Sequence, residues 1–275
     1  MKILKNIFEL NKAVKNYKNV GFVPTMGGIH KGHESLIKIS QKNNKETIVS
    51  IFVNPTQFNQ KKDFKNYPRN IRKDISILKK LRVNYLFLPE VDEIYKNRMK
   101  NFKLNKSDKI LCAKYRKGHF EGVLNVMNRL LSIVKSKFVY MGEKDFQQYM
   151  LIKRILGKKY KINIVGCPTI RENNKIALST RNKLLNNSCI KKASKIAIKL
   201  DKLKRLSQKN KSVDLSKYKY ELENKFKIKI DYLEFRDEKK MKLYNFKSKY
   251  RLFIAYHING VRSVSYTHLT LPTKA

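Results

Sequence analysis

Cysteine is scarce in this chain of 275 residues, which has three, at positions 112, 167 and 189, and no CxxC spacing. This number and spacing argue against a disulfide framework and a cysteine-based zinc site, and they favour a reducing compartment. The simplest expectation is therefore a cytoplasmic location. No stretch approaches the ~18 consecutive apolar residues of a membrane span, so no membrane partner is expected. The start, MKILKNIFEL, carries lysines in its apolar pattern and has no small-residue cleavage site, which argues against a secretory signal.

Acidic residues are also few, with 21 Asp and Glu against 63 Lys and Arg, a formal net charge of +42. Such a balance ordinarily indicates nucleic-acid binding. However, 50 of the basic residues are Lys and only 13 are Arg, they are scattered along the chain, and 26 Asn accompany them. Proteins that read bases favour Arg and interleave aromatic residues. Because Lys and Asn share A/T-rich codons, we interpret the surplus as solvated surface and expect no specific nucleic-acid partner, although a basic nucleic-acid-binding protein remains the alternative of another class.

Residues 1–169 alternate short apolar runs with amphipathic stretches, which is typical of strands joined by helices. Such alternation predicts a parallel sheet with right-handed crossovers, and hence an α/β fold with a Rossmann-like, doubly wound sheet. The apolar runs predict strands at 19–24, 47–53, 83–88, 138–141 and 162–165. The amphipathic stretches predict helices at 33–41, 69–81, 122–134 and 146–156.

The pattern changes near residues 169–172, where we place a domain boundary. Residues 170–262 predict a smaller α+β C-terminal domain, with a turn at 172–175, a Lys-rich helix at 187–209 and strands at 228–235 and 250–256. Residues 263–275, SVSYTHLTLPTKA, contain a single lysine in an otherwise lysine-rich protein. We interpret them as a probable non-native tail and leave them out of the predicted fold.

The segment PTMGGIHKGH follows the first predicted strand and leads into a helix. Gly27 and Gly28 would let backbone N–H groups approach a phosphate, and the helix N-terminus adds partial positive charge. His30 and His33 could donate hydrogen bonds to a polyphosphate whose charge grows as a bond breaks. A capped turn with incidental histidines is the structural alternative, and zinc binding is disfavoured because no acidic or cysteine ligand stands at ligand spacing.

Three further segments carry polar groups at strand or domain ends. Gly142–Asp145 follows a predicted strand, where doubly wound folds bind ligands, and Lys144 would supply a cation for phosphate. Leu178–Arg181 offers two hydroxyls and a guanidinium suited to phosphate, and Asn54–Gln57 offers neutral amides suited to hydroxyls or a carboxylate. The structural alternatives are a solvated turn, a helix N-cap and a plain turn, in that order.

Taken in order, several motifs resemble those of the pantothenate synthetase (pantoate–beta-alanine ligase) family over about residues 19–262. The motifs are VPTMGGIHKGHESLI, VSIFVNPTQF, NYPRN, FLPEVDEIY, GHFEGV, GEKDFQQ, VGCPTIREN, ALSTRN, DYLEFRDEK and RLFIA. HxGH alone would indicate only the wider nucleotidyltransferase superfamily. Two departures are Thr180, where the family often has Ser, and the residues after Arg262.

The resemblance implies an ATP-dependent ligase that joins pantoate to beta-alanine through a pantoyl-adenylate intermediate, with release of pyrophosphate and AMP. It implies catalytic roles for His30, His33, Lys144 and Arg181, and pantoate contacts for Asn54, Gln57, Arg116 and Gln148. His119 also matches a family position. The implied ATP-binding residues are Met26, Gly27, Gly28, Ile29, His30, Lys31, Gly32, His33, Gly142, Glu143, Lys144, Asp145, Ile170, Leu178, Ser179, Thr180 and Arg181.

The resemblance further implies Mg²⁺ held mainly by the ATP phosphates, with no protein ligand assigned, and a homodimer. The nearest alternative enzyme is another HxGH nucleotidyltransferase, such as an adenylyltransferase of mononucleotides or of phosphopantetheine. Such an enzyme would lack the Asn-Pro-x-Gln segment and the paired glutamines.

Overall fold

The computed structural model describes residues 1–15, 19–59, 61–96, 99–209, 213–244 and 249–269. The chain divides into two compact units, Met1–Ile170 and Arg171–Ala275. The division lies one residue from the predicted domain boundary. Among the described residues, no helix is both long enough and apolar enough to cross a bilayer.

The first unit is built on a parallel sheet that runs in the order β1–β4–β3–β2–β5–β6. Its central strands are buried on both faces, with Phe22, Val23, Ile48 and Val49 completely inaccessible. Burial on both faces explains why these strands are continuous apolar runs in the sequence. The prediction of a Rossmann-like, doubly wound sheet is confirmed. The strands are β1 (Lys2–Leu4), β2 (Val20–Thr25), β3 (Glu46–Ile51), β4 (Tyr85–Phe87), β5 (Phe138–Gly142) and β6 (Asn163–Cys167).

Helices connect these strands, and the longer ones match the predicted amphipathic stretches with ends shifted by a few residues. Helix α8 continues through a π-helical segment, Lys153–Gly157, into α9. The shorter elements α1, α3, α5 and α6, together with β1, were not predicted. The helices are α1 (Ile7–Val14), α2 (Lys31–Asn43), α3 (Lys61–Lys65), α4 (Ile71–Lys80), α5 (Val91–Tyr95), α6 (Cys112–Tyr115), α7 (His119–Val134), α8 (Phe146–Ile152) and α9 (Lys158–Tyr160).

The chain changes direction across the sheet at β2. From β2 it passes to β3 and β4 on one side, and it later returns to place β5 and β6 on the other side. Loops that leave adjacent strands in opposite directions open a crevice at the carboxyl ends, where doubly wound folds bind ligands. The loops after β2 and β5 carry residues 26–30 and Glu143–Asp145, so two predicted motifs lie at this switch point.

The second unit packs two helices against an antiparallel sheet in the order β7–β8–β9. N-terminal to these helices, Arg171 pairs with Ala177 in an isolated antiparallel bridge, and the residues between them form the turn predicted at 172–175. The core between the helices and the sheet includes Ile196, Leu203, Leu222 and Ile254. The elements are α10 (Asn187–Lys209), α11 (Leu215–Phe226), β7 (Lys229–Asp237), β8 (Tyr250–Ile258) and β9 (Val261–Leu269).

Two elements of this unit were absent from the sequence prediction. Helix α11 follows its N-cap Asp214, whose carboxylate accepts from the backbone N–H groups of Ser216 and Lys217. Strand β9 includes residues 263–269, which the sequence prediction does not assign to the fold, and it pairs with β8 along its whole length. Residues 270–275 lie outside the described residues. The non-native origin of 263–275 stays a prediction.

Candidate active site

Three of the predicted motifs lie at the carboxyl edge of adjacent strands. Strands β3, β2 and β5 are neighbours in the sheet, and they lead respectively into Asn54–Gln57, into the loop of residues 26–30 and into Glu143–Asp145. Ile170 comes three residues after β6, which is the next strand in the same sheet. The fold thus gathers residues separated by more than a hundred positions at one edge.

The glycine turn after β2 is fixed by a carboxylate from α4. Gly27 and Gly28 have φ of 75° and 65°, values that favour glycine. The N–H groups of Gly28 and Ile29 donate to Asp74 Oδ2 and Oδ1, each at 2.8 Å, and Gly27 N–H donates to Thr25 Oγ1 at 3.1 Å. These amides were expected to face a phosphate, whereas in the structure they bind protein oxygens.

Asp74 is a residue that sequence reasoning missed. Its side chain is 3% exposed, although it is charged. It lies between Ile71 and Leu78 at helical spacing, so an acid on the apolar face of α4 was the available signal. A Cβ on Gly27 would lie 2.9 Å from Asp74 Oδ2, which shows how closely the turn and the carboxylate approach.

The two histidines of HxGH lie together at the start of α2. His30 is the N-cap residue, and its Nδ1 accepts from Gly32 N–H at 3.1 Å. In the neutral ring the proton is therefore on Nε2, which is a donor. The rings of His30 and His33 have centroids 4.0 Å apart, and both residues are half-buried. Lys31 opens the helix and is exposed, so this helix start combines a cation with two partly accessible imidazoles.

Asn54–Gln57 is a tightly bonded turn rather than a plain one. Asn54 is 1% exposed, its Oδ1 accepts from Tyr95 Oη at 2.6 Å, and its Nδ2 donates to Gln57 Oε1 and to the Gly122 carbonyl, each at 3.3 Å. Gln57 Nε2 lies 2.7 Å from Met26 Sδ, on the loop after β2. Burial raises the pKa of the Tyr95 phenol, which favours the protonated form that donates to Asn54. Tyr95 belongs to the FLPEVDEIY segment, for which the sequence assigned no role.

The same turn is held from a third direction by the start of α7. His119 Nδ1 lies 2.7 Å from the Gln57 carbonyl oxygen, and His119 Nε2 lies 2.7 Å from Arg116 Nη1. A Cβ on Gly122 would lie 2.5 Å from the Thr56 carbonyl oxygen, so only a glycine permits this approach. The GHFEGV segment therefore contacts the Asn54–Gln57 turn through the side chain of His119 and through the backbone of Gly122.

The GEKD segment forms a 3-10 turn between β5 and α8. Lys144 Nζ lies 3.4 Å from Asp145 Oδ1, and the Asp145 side chain is more than half exposed. Gly142 has open space around its Cβ position, and Glu143 is half-buried. A cation on such a turn, next to the switch point, can approach a phosphate without first breaking a buried ion pair.

The paired glutamines at the start of α8 differ in their surroundings. Gln147 is buried, and its Nε2 donates to the carbonyl oxygens of Asp108 and Ile110 at 3.2 and 2.8 Å. Gln148 is half-buried. Gln147 therefore stabilises the segment that precedes α6, and Gln148 is the glutamine with accessible surface for a ligand.

Leu178–Arg181 belongs to the second unit and is described within it. Ser179 is the N-cap of the 3-10 turn Thr180–Leu184, and its Oγ accepts from Arg181 N–H at 3.3 Å. The structural alternative of a cap therefore holds for Ser179. Thr180 is 4% exposed, whereas Leu178 and Arg181 are half-buried.

The thiol of Cys167, at the end of β6 and near the carboxyl edge of the sheet, is unreactive. Burial, and to a smaller extent the charge of Glu143, raises the pKa of the Cys167 thiol to about 11. The thiolate is the nucleophilic form, so this cysteine is protonated and inert near neutral pH.

Comparison with protein families and curated proteins finds that this chain is similar to known ligases. The family described as pantoate-beta-alanine ligase matches residues 2–266. A pantothenate synthetase of Flavobacterium psychrophilum is 38% identical over 275 residues, covering 94% of this chain and 97% of that protein. A pantothenate synthetase of Pseudothermotoga lettingae is 39% identical over 249 residues, covering 86% and 88%.

Solved structures agree with the sequence relatives. The pantoate-beta-alanine ligase of Francisella tularensis, solved with beta-gamma ATP and beta-alanine, has a TM-score of 0.83 and 36% identity, covering 98% of this chain and 97% of its own. The pantothenate synthetase of Thermus thermophilus has a TM-score of 0.89 and 28% identity, covering 98% and 99%. The likeness therefore extends over both units.

Proposed function

The chain belongs to the pantoate-beta-alanine ligase family, and on that premise we propose that the polar residues at the carboxyl edge of its parallel sheet form the active site. The protein is a ligase that forms pantothenate from pantoate and beta-alanine, with ATP as a substrate. The observation that supports this location is that three motif-bearing loops leave β3, β2 and β5 side by side, at the switch point of the sheet.

The reaction proceeds in two steps. In the first step a pantoate carboxylate oxygen attacks the α-phosphorus of ATP, the bond to the bridging oxygen of the β-phosphate breaks, and pyrophosphate leaves. In the second step the amine of beta-alanine attacks the acyl carbon of pantoyl adenylate. The acyl–oxygen bond breaks, AMP leaves, and the nitrogen loses a proton to give pantothenate.

We assign the phosphates to His30, His33 and Lys144. Negative charge grows on the departing pyrophosphate during adenylation, so donors fixed before the reaction stabilise the transition state. The support for His30 is that its Nδ1 accepts a hydrogen bond from Gly32 N–H, which places the ring proton on Nε2, the nitrogen that would donate to phosphate. The centroid of the His33 ring lies 4.0 Å from that of His30, and Lys144 adds a positive charge from the neighbouring loop.

Pantoate is assigned to Asn54, Gln57, Arg116 and Gln148. Neutral amides donate to and accept from hydroxyl groups, and a guanidinium binds a carboxylate. Gln57 lies beside Met26 of the loop after β2, which supports a pantoate position next to the α-phosphate. Asn54 contributes through its bond to Gln57 Oε1, because its own side chain is 1% exposed.

The remainder of the ATP site is proposed from the motif matches alone. Arg181 would bind phosphate oxygens through its planar fork of donors. The other residues proposed to line ATP are Met26, Gly27, Gly28, Ile29, Lys31, Gly32, Gly142, Glu143, Asp145, Ile170, Leu178, Ser179 and Thr180.

Mg²⁺ is proposed as the partner of ATP. Among the described residues, no group of three His, Cys, Asp or Glu side chains is placed to hold a metal ion. Phosphate oxygens and water are typical Mg²⁺ ligands, so ATP would supply most of the coordination. A homodimer is also proposed, on the family resemblance. A cytoplasmic location is proposed because cysteine is scarce and has no CxxC spacing, which favours a reducing compartment.

Isotope exchange between pyrophosphate and ATP tests the proposed site. With ATP and pantoate present and beta-alanine absent, we expect exchange, because adenylation needs only the first two substrates. Replacing His33 with Ala should lower the exchange rate ~10²–10³-fold, the usual effect of losing one donor to developing charge. Lys38→Ala, an exposed change on the same helix α2, is the control.

Three outcomes would contradict the proposal. Exchange that requires beta-alanine would exclude a free-standing adenylation step. An unchanged rate in His33→Ala would return the histidine pair to a capped turn without a catalytic role. Exchange with a mononucleotide or phosphopantetheine in place of pantoate would instead indicate the alternative nucleotidyltransferase.

A further inference from the structure

His119 and Arg116 form a hydrogen-bonded pair, and the partners of the two ring nitrogens of His119 determine which nitrogen carries the proton. A guanidinium has donors only, so Arg116 Nη1, at 2.7 Å, must donate to His119 Nε2. A backbone carbonyl only accepts, so His119 Nδ1, at 2.7 Å from the Gln57 oxygen, must carry the proton. Both contacts require the same neutral tautomer, with the proton on Nδ1. His30 has the opposite tautomer, because its Nδ1 accepts from a backbone N–H.

We propose that His119 is a positioning residue for Gln57: Arg116 holds the imidazole in its Nδ1–H tautomer, and that N–H anchors the Gln57 carbonyl so that the Gln57 side chain is directed at pantoate. This inference rests on the proposed assignment of Gln57 to pantoate. It gives His119 a role through the main chain of another residue, without contact to the reacting atoms.

Three other features of the turn support this role. His119 is 8% exposed, and its ring is packed between Arg116 and the turn, so it is poorly placed to meet a substrate. Gly122, one helical turn later, approaches the backbone of Thr56 and accepts from Asn54 Nδ2. The first turn of α7 therefore holds both ends of Asn54–Gln57.

The tautomer provides a physical reason for histidine at position 119. Asparagine can place an amide N–H near the position of Nδ1, whereas the longer glutamine places its amide near Nε2. His119→Asn therefore retains a donor to the Gln57 carbonyl, and His119→Gln loses it. The two variants are similar in polarity, so they form a matched pair.

Steady-state kinetics with the full-length enzyme test the proposal. We expect His119→Gln to raise the KM for pantoate ~10–100-fold, the scale of misplacing a binding group by about 1 Å. The KM for ATP should change less than twofold, and His119→Asn should recover most of the pantoate affinity. In a double-mutant cycle, Gln57→Ala should leave His119→Gln with little further effect on the pantoate KM, because both changes act through one side chain.

The cycle separates failure of this inference from failure of the proposed site. If Gln57→Ala leaves the pantoate KM unchanged, the pantoate assignment itself is wrong. If Gln57→Ala raises that KM but the two changes are additive, His119 does not act through Gln57. A large fall in kcat in both His119→Asn and His119→Gln would make His119 a catalytic residue and overturn the proposal.

A spectroscopic measurement tests the tautomer without using activity. Two-bond ¹H–¹⁵N correlation spectra of ¹⁵N-histidine-labelled enzyme distinguish a protonated from an unprotonated ring nitrogen, and His119→Asn identifies the signal by its loss. We expect His119 Nε2 to resonate as an unprotonated nitrogen. A signal showing a proton on Nε2 would refute the role of Arg116. Thermal melting of each variant shows whether a change in the KM for pantoate comes from partial unfolding of the protein.

Discussion

Replacing Asp74 with Asn should weaken the attachment of the glycine turn to helix α4. The carboxylate accepts from the N–H groups of Gly28 and Ile29 at 2.8 Å each, in a site where it is 3% exposed. A hydrogen bond to a charged group contributes ~1.5–3 kcal/mol. Asparagine keeps one acceptor and turns an NH₂ donor toward the other N–H, so one bond is lost and the second becomes uncharged. We expect a loss of ~2–3 kcal/mol in the free energy of unfolding, from these per-bond values.

Thermal and chemical denaturation measure this loss. For a chain of this size, 1 kcal/mol corresponds to ~2–4 °C in Tm, so the expected fall is ~4–12 °C. Asp92→Asn, an exposed carboxylate in the first turn of α5, is the matched control and should change Tm by no more than ~2 °C, given the small helix-dipole contribution. The pyrophosphate exchange rate of Asp74→Asn should fall at temperatures where the protein is folded, because the turn leads directly into His30. A Tm equal to that of the wild type would refute the argument that Asp74 holds the turn.

Three other measurements address charge and reactivity. Arg181→Lys should lower the pyrophosphate exchange rate while leaving Tm nearly unchanged, because lysine lacks the planar fork of donors. The control Arg205→Lys, at a side chain that is 75% exposed, should alter neither quantity. An exchange rate in Arg181→Lys equal to that of the wild type would remove Arg181 from the site. Binding to DNA should be weak and lost by ~0.2 M salt, as counterion release requires, whereas sequence-specific binding above that salt would restore a nucleic-acid role. In the folded protein at pH 8 a maleimide should modify Cys112, which is partly exposed, before it modifies Cys167. The Cys167 thiol has a pKa of about 11, so about one molecule in a thousand is ionised at this pH. Modification of Cys167 as fast as that of Cys112 would contradict the burial of Cys167.

Much of the architecture was predictable because burial leaves a local pattern in the sequence. Strands β2 and β3 are apolar runs since both faces of a parallel sheet are covered, and helix α10 has the bounds predicted from its periodicity. The alternation of apolar runs and amphipathic stretches predicted the fold class, and the motifs in their order predicted the family and the reaction. All three are confirmed. The individual site residues stay proposals.

Elements with weak local signals were missed. Strand β1 has three residues and is stabilised by pairing with β4, some eighty positions away in the sequence. Helix α11 has apolar residues at helical spacing, including Leu222 and Phe226, but they are diluted by lysines and glutamates. Residues 263–269 have a composition unlike the rest of the chain, and they join the sheet as β9 by pairing with β8.

The sequence by itself determined which residues are proposed to carry chemistry, because HxGH, NPTQ, GEKD and STR each place polar groups in a recognisable local order. The tertiary structure alone decided which distant side chains hold these motifs in place. Asp74 meets Gly28 across 46 positions, and His119 meets Gln57 across 62. The same is true of proton positions, since the tautomers of His30 and His119 depend on which donor or acceptor the fold brings to each ring nitrogen. Local periodicity records burial and helix or strand formation, but it carries no information about which distant carbonyl, amide or carboxylate a side chain will meet.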